Sequence, residues 1–265
     1  MPDNSVRKTF RTALGVFLIC SILVSGTSVL LRERHSENKR REKLRNVLIA
    51  GGLYSKHMNA DSVFQKNVIQ KIVELETGLF VSENLHAELL HPERFDPSKT
   101  AAHPELSRML SSEYDPAGIR RQPLYMPVYQ VMRGDSLSQL ILSVYGKGLW
   151  STMYGFLSLD ADLATIRGFT FYDHGETHGL GGEIDNPDWK SLWEGKQAYD
   201  QDGKVTIRVI KGKVNVNDPL AHSTIDGISG ATLTSRGVND LVRFWLGPMG
   251  YRPFLNQFKQ EKNAL

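Results

Sequence analysis

From Thr12 to Leu31 the chain reads TALGVFLICSILVSGTSVLL, twenty consecutive residues without a charged side chain. As a helix rising ~1.5 Å per residue, this run is about 30 Å long, the hydrocarbon thickness of a bilayer. Backbone polar groups at that depth are satisfied within a helix, so the run predicts a single transmembrane span. The competing reading is a cleaved signal peptide. The run is long for one, and no convincing A-x-A site precedes the charged residues that follow.

The flanks of this run carry the basic excess of the chain. Arg7, Lys8 and Arg11 precede it, and Arg32, Arg34, Lys39, Arg40, Arg41, Lys43 and Arg45 follow it. Through Arg45 there are ten Lys/Arg against four Asp/Glu, whereas the remainder has 22 against 25. The remainder therefore lacks the footprint of a nucleic-acid-binding protein. Counting positive charges alone would place the C-terminal part in the cytoplasm, but long domains cross membranes largely regardless of charge. Glu33, Glu37 and Glu42 among the basic residues point to a solvated helix continuing out of the membrane. Cys20 is the single cysteine and lies inside the apolar run. An intramolecular disulfide is thus excluded, and zinc or iron–sulfur ligation by this chain alone is not expected. Phe17, Leu18 and Ile19 before it are not the small residues of a lipoprotein acceptor site, so Cys20 reads as a packing or lipid-facing residue.

Three regions follow: residues 1–45 with the span and charged linker, residues 46–124 of helical and loop character, and a domain over residues 125–265. In the second region Val63, Phe64, Ile69, Ile72, Val73 and Leu75 predict an amphipathic helix stopped by Gly78, and Ser82 to Pro123 reads as turns and short helical pieces. In the third, MPVYQVM and SQLILSVYG predict strands around the turn Arg133-Gly134-Asp135. Thr165–Tyr172 and Lys204–Val214 alternate like half-buried strands. Val238, Leu241, Val242 and Trp245 mark a helix ending near Gly247-Pro248. The expected fold is α+β: one N-terminal transmembrane helix, then a mixed, mostly antiparallel sheet with flanking helices.

The chemistry concentrates in Asp226-Gly-Ile-Ser-Gly-Ala-Thr232, just ahead of that last helix. Gly227, Gly230 and Ala231 let a bulky group approach the backbone. The free amides and positive end of the helix favour an anion, and Ser229, Thr232, Thr234 and Ser235 add hydroxyls. The same residues also suit a plain helix start, with Thr234 or Ser235 as the N-cap and nothing bound.

DGISGAT resembles the D-G-x-[ST]-G-A-[TS] motif of the FMN-binding domain family. Tyr145-Gly-Lys-Gly-Leu-Trp-Ser-Thr-Met-Tyr-Gly-Phe156, Phe171-Tyr-Asp-His-Gly-Glu-Thr-His-Gly-Leu-Gly-Gly-Glu183 and Asn186-Pro187-Asp188-Trp189 narrow the resemblance. They are similar to the C subunits of sodium-translocating NADH:quinone oxidoreductases. The likeness covers the span and the chain from about Tyr125 onward. It implies an electron-carrier subunit with no complete active site of its own, holding covalent FMN on residues 125–265. Thr232 would be esterified to the FMN phosphate by an FMN transferase that uses FAD. Ser229, Gly230 and Ala231 would lie about that phosphate, and Glu176, Thr177, Gly179, Leu180 and Trp150 would wall the flavin ring. The resemblance also implies the other subunits of a membrane redox complex as partners. It places the span in a bacterial inner membrane, with a cytoplasmic N-terminal tip and a periplasmic domain. His178 departs from the family pattern, which has Pro there.

Several bland readings stand beside these. Trp150 is also a candidate core tryptophan, Glu176 a solvated turn residue, and Lys147 either a phosphate contact or a free charge. His174-x-Glu176-x-His178 has metal-like spacing, but Gly175 and Gly179 argue against the helix that would bring the two histidines together, so no metal is expected. An Rnf-type flavin subunit is the nearest functional alternative, and a non-redox membrane-tethered anion-binding module is the alternative from another class.

Overall fold

The computed structural model describes residues 3–82 and 90–263, with a division into two compact units between Lys43 and Leu44. Residues 83–89, within the stretch expected to hold turns and short helices, lie outside the described residues.

The first unit is helix α1 (Asp3–Ala50) up to Lys43. Its segment Val6–Arg32 has a mean hydropathy of 2.3 and no buried residue in its most apolar window. By length and composition this segment is able to cross a bilayer. The hydroxyls within it are absorbed locally: Thr12 donates to Lys8 O at 2.9 Å and Thr27 to Leu23 O at 2.8 Å. Beyond it, Arg40 and Arg41 pair with Glu37 at 3.1 and 2.9 Å, which suits a solvated continuation.

The second unit is built on a five-stranded antiparallel sheet. Its strands are β1 (Val68–Glu74), β4 (Tyr125–Arg133), β5 (Ser136–Lys147), β6 (Thr152–Asp160) and β7 (Ile166–Asp173), adjacent in that order. Short β2 (Ser107–Met109) and β3 (Arg121–Pro123) form a separate ribbon. Helices α2 (Ala60–Asn67), α3 (Pro97–Ala102), α4 (Pro187–Ser191), α5 (Thr232–Leu246) and α6 (Arg252–Asn263) complete it, with the two-residue parallel pair β8 (Arg208–Val209) and β9 (Thr224–Ile225). Both faces of the sheet are covered. Val47 and Leu48 from the end of α1 join Tyr129, Val131, Ile141 and Phe156 in one cluster. Met126, Val128, Leu140, Leu142 and Leu157 join Val238, Leu241 and Trp245 of α5 and Phe254 of α6 in the other. Alternate residues of one strand thus enter opposite cores, which is why β4 and β5 read as continuous apolar runs rather than alternating ones.

Several expectations hold. The hairpin around Arg133-Gly134-Asp135 joins β4 to β5, with Gly134 at φ +62°; β7 covers Ile166–Asp173; and α5 buries Val238, Leu241, Val242 and Trp245 before Gly247. Two others are corrected. The helix expected across Val63–Leu75 stops at Asn67, and the chain turns into β1, which pairs with β4. Val68, Ile69, Ile72 and Val73 are β-branched, and a neighbouring strand captured them over a weak helical period. The strand expected over Lys204–Val214 shrinks to Arg208–Val209. Its ladder partner is the two-residue β9, and its amides are divided between scattered acceptors, Thr206 N to Ala198 O at 3.0 Å, Val209 N to Asn239 Oδ1 at 3.1 Å and Val214 N to Asp226 Oδ1 at 2.8 Å.

Candidate functional site

Three segments distant in sequence meet at one end of the sheet. The loop Gly148–Ser151 joins β5 to β6, the turn from His174 to Gly181 follows β7, and α5 packs its first turns beside β5. Glu176 lies where they converge, and only 4% of it is exposed. Its carboxylate accepts the Trp150, Leu149 and Ser151 amides at 2.9, 3.2 and 3.3 Å and the Thr234 hydroxyl at 2.5 Å. Burial pushes this carboxyl up, but the Thr234 bond and the three amide bonds outweigh it and hold it below its ordinary 4.5. A charged carboxylate is thus the stable form, with every segment tied to it. Gly148 and Gly181 make room: a Cβ on either would stand 2.5 Å from Glu176 Oε1 or Thr234 Oγ1.

The reading of Glu176 as a solvated turn residue is therefore wrong. The side chain lies behind the loops, not on their outer surface. His174 backs the same turn, its Nε2 lying 2.8 Å from Asp185 Oδ2 and its Nδ1 accepting the Glu176 amide at 3.2 Å. Among the described residues no cluster of three metal-ligating side chains exists. The Thr177 carbonyl is occupied by the Leu180 and Gly182 amides at 3.1 and 2.9 Å, while the left-handed Gly179 (φ +74°) is exposed at the rim.

Several large apolar side chains are exposed around this site. Trp150 is 66% exposed, Leu180 47% and Leu233 57%, with Leu149 beside them. Trp150 is thus not a core residue. Leu180 reaches the phosphate-type loop, since its Cδ2 would be 3.2 Å from a Cβ on Gly230, itself at φ +74°.

Thr232 is the first residue of α5 and is exposed. Its hydroxyl makes no hydrogen bond among the described residues, nor do the amides of Thr232, Leu233 and Thr234. The N-cap is Ala231, which has no capping side chain. The capping roles considered for Thr234 and Ser235 are therefore overturned. Thr234 binds Glu176, and buried Ser235 accepts the Ile228 amide at 2.9 Å, tightening the loop from within. Ser229 is exposed and Ala231 buried beside Thr232.

A recess of about 160 Å³ opens next to Thr232, lined among others by Lys211, Gly227, Ile228, Arg236 and Asn239. Neither Lys211 nor Arg236 was anticipated, although Arg236 follows Thr232 at i+4, the spacing that puts two side chains on one helical face. Lys147 is exposed but does not line this recess; its backbone carbonyl lies against Gly237. A wider depression of about 560 Å³ lined by Lys204, Arg243 and Arg252 sits at the other end of α5 and shares no residue with the loop.

A phosphorylated aromatic cofactor fits these residues: an unengaged hydroxyl beside bare amides for the phosphate, and exposed apolar side chains for a ring. Similarity to known proteins agrees. Residues 148–247 match the FMN-binding domain family. The chain is 42% identical over 261 residues to the C subunit of the Na(+)-translocating NADH-quinone reductase of Pseudomonas aeruginosa, covering 97% of this chain and 98% of that one. It is 40% identical to the Yersinia pestis protein of the same name, covering 97% and 95%. The crystal structure of Shewanella oneidensis NqrC superimposes with a TM-score of 0.76 at 36% identity, over 84% of this chain and 99% of that chain. The crystal structure of the corresponding Na(+)-translocating NADH-quinone reductase chain from Parabacteroides distasonis gives 0.65 at 26% identity, over 85% and 96%.

Proposed function

The chain belongs to the family of Na(+)-translocating NADH-quinone reductase C subunits, and from that membership and the geometry of the loop we propose that it carries FMN on Thr232 and relays electrons between partner subunits of a sodium-pumping complex. One observation carries the attachment site. Of the hydroxyls around the loop, Thr232 combines exposure, a free oxygen and the unpartnered first turn of a helix, whereas Thr234 and Ser235 are buried and committed elsewhere.

In maturation, the Thr232 oxygen would form a bond to the FMN phosphorus of FAD on an FMN transferase. The pyrophosphate P–O bond would break, AMP would leave with the bridging oxygen, and the hydroxyl proton would pass to the medium. When bound, the flavin supplies the redox chemistry. The chain's part is to hold it. The α5 amides would face the phosphodiester charge, with Ser229, Gly230 and Ala231 shaping the loop. Trp150 and Leu180 offer an apolar wall to the ring, with the Thr177–Gly179 turn beside it. Glu176 fixes that wall to α5 from behind. Covalent attachment suits a domain on the periplasmic side, where lost flavin is not replaced, and the α1 span keeps it near its membrane partners. The relatives are named as quinone-reductase subunits, which favours that complex over an Rnf-type one.

The test is a denaturing gel of protein produced with the transferase, viewed under ultraviolet light. Wild type should show a fluorescent band and Thr232→Ala none, with peptide mass spectrometry placing FMN minus water on Thr232. Fluorescence that survives Thr232→Ala would overturn the assignment.

A further inference from the structure

We infer that the recess beside Thr232 is an anion subsite for the flavin phosphate, with Lys211 and Arg236 as its two cations; this rests on Thr232 being the FMN acceptor. Thr232 and Arg236 both line the recess from one side of α5, and Lys211 lines it from the 208–214 loop. No carboxylate lines it among the described residues. Its other polar side chains are already engaged. Asn239 accepts the Val209 amide at 3.1 Å and donates to Asp240 at 3.0 Å, and Ser235 accepts the Ile228 amide. Among the described residues the ion-pair partner of Arg236 is Asp240, at 3.8 Å with the arginine side chain 77% exposed, a contact too weak to hold it against a phosphate. Among the described residues lining the recess, one hydroxyl and two cations remain to meet a ligand.

The loop that carries Lys211 is stitched down for this purpose. Ile210 N donates to Ile225 O at 3.0 Å, Gly227 N to Gly212 O at 2.9 Å and Val214 N to Asp226 Oδ1 at 2.8 Å. Asp226 and Gly227 open the DGISGAT motif, and neither needs to touch the cofactor. The Asp226 carboxylate pins the loop, and the missing side chain of Gly227 lets the Ile210 carbonyl close down where a Cβ would collide with it. The first two motif residues thus build the cationic wall, and the last four build the acceptor.

The test compares three full-length chains in detergent: wild type, Lys211→Gln/Arg236→Gln, and Lys211→Arg/Arg236→Lys. Each is incubated with FAD and FMN transferase. In-gel fluorescence follows loading, and ³¹P NMR reads the phosphodiester of the loaded protein. The glutamine pair should load roughly tenfold more slowly, the worth of one charge-assisted contact, and its ³¹P resonance should move. Added KCl should move the wild-type resonance the same way, and the charge-conserving pair should recover most of the loss. Normal loading with an unchanged resonance would overturn the inference. So would slow loading with an unchanged resonance, which would assign the two cations to docking of the transferase. A wild type that never acquires flavin would instead sink the Thr232 reading itself.

Discussion

Thr234 Oγ1 donates to Glu176 Oε2 across 2.5 Å, joining the first turn of α5 to the turn after β7, 58 residues away in sequence. The same carboxylate holds the Gly148–Ser151 loop through three amides. One buried anion therefore sets the spacing between the acceptor helix and the apolar wall.

Glu176→Gln should destabilise the domain by about 1–3 kcal/mol, because an amide cannot accept all four donors and strands some of them buried. The pH dependence follows from the lowered carboxyl. A group whose folded value lies below its unfolded one stabilises fully above the unfolded value and loses that contribution as pH falls through the folded value. The stability gap between wild type and Glu176→Gln should thus be widest above pH 4.5 and narrow below it. Urea unfolding across that range checks the sign. A gap that widens in acid would show that the carboxylate is not the stabilised form.

Thr234→Val keeps the shape of the side chain and removes the donor. It should cost about 1.5–3 kcal/mol, the range for hydrogen bonds to charged groups, more than the roughly 1 kcal/mol typical of a lost helix cap. The flavin band should remain, since Thr232 is untouched. Thermal melts beside in-gel fluorescence separate the two effects. A loss of fluorescence with unchanged stability would transfer the acceptor role to Thr234.

These two residues also mark where the sequence was legible and where it was not. The span, the β4–β5 hairpin, β7 and α5 were visible because their apolar patterns are long and local. Thr232 stood out through a compact motif. Thr234 was misread as a cap because hydroxyls near a helix start usually face backbone amides, and nothing local reveals a carboxylate 58 residues upstream. Val68–Glu74 was misread because an edge strand depends on its partner, β4, more than on its own period. Lys211, proposed above as a phosphate contact, has no local signal because the loop that presents it is held by the Asp226 side chain and a two-residue strand pair, neither of which leaves a periodic pattern.

The C-terminal unit is expected on the periplasmic side despite the basic residues that follow the span. A long domain is translocated largely regardless of the charges that follow a span. C-terminal fusions to alkaline phosphatase and to green fluorescent protein report the side. Phosphatase activity with no fluorescence is expected, and the reverse pattern would put the domain in the cytoplasm.

Trp150 and Leu180 are 66% and 47% exposed, and such residues contribute little to folding, so Trp150→Ala and Leu180→Ala should each change stability by no more than about 0.5 kcal/mol. Their backbones are what the fold uses: the Trp150 amide binds Glu176 and the Leu180 amide binds the Thr177 carbonyl, and alanine keeps both. Attachment at Thr232 should therefore survive either change. What should move is the environment of the ring, because removing an apolar wall admits water and alters the polarity that tunes a flavin. The measurements are the visible absorbance of the loaded protein and its reduction potential, read against the unfolding midpoint of the same sample. Displaced spectra and potential at constant stability would place the ring on these side chains. Two variants with the spectrum and potential of the wild type would put the ring elsewhere and leave the exposed apolar surface to a protein partner.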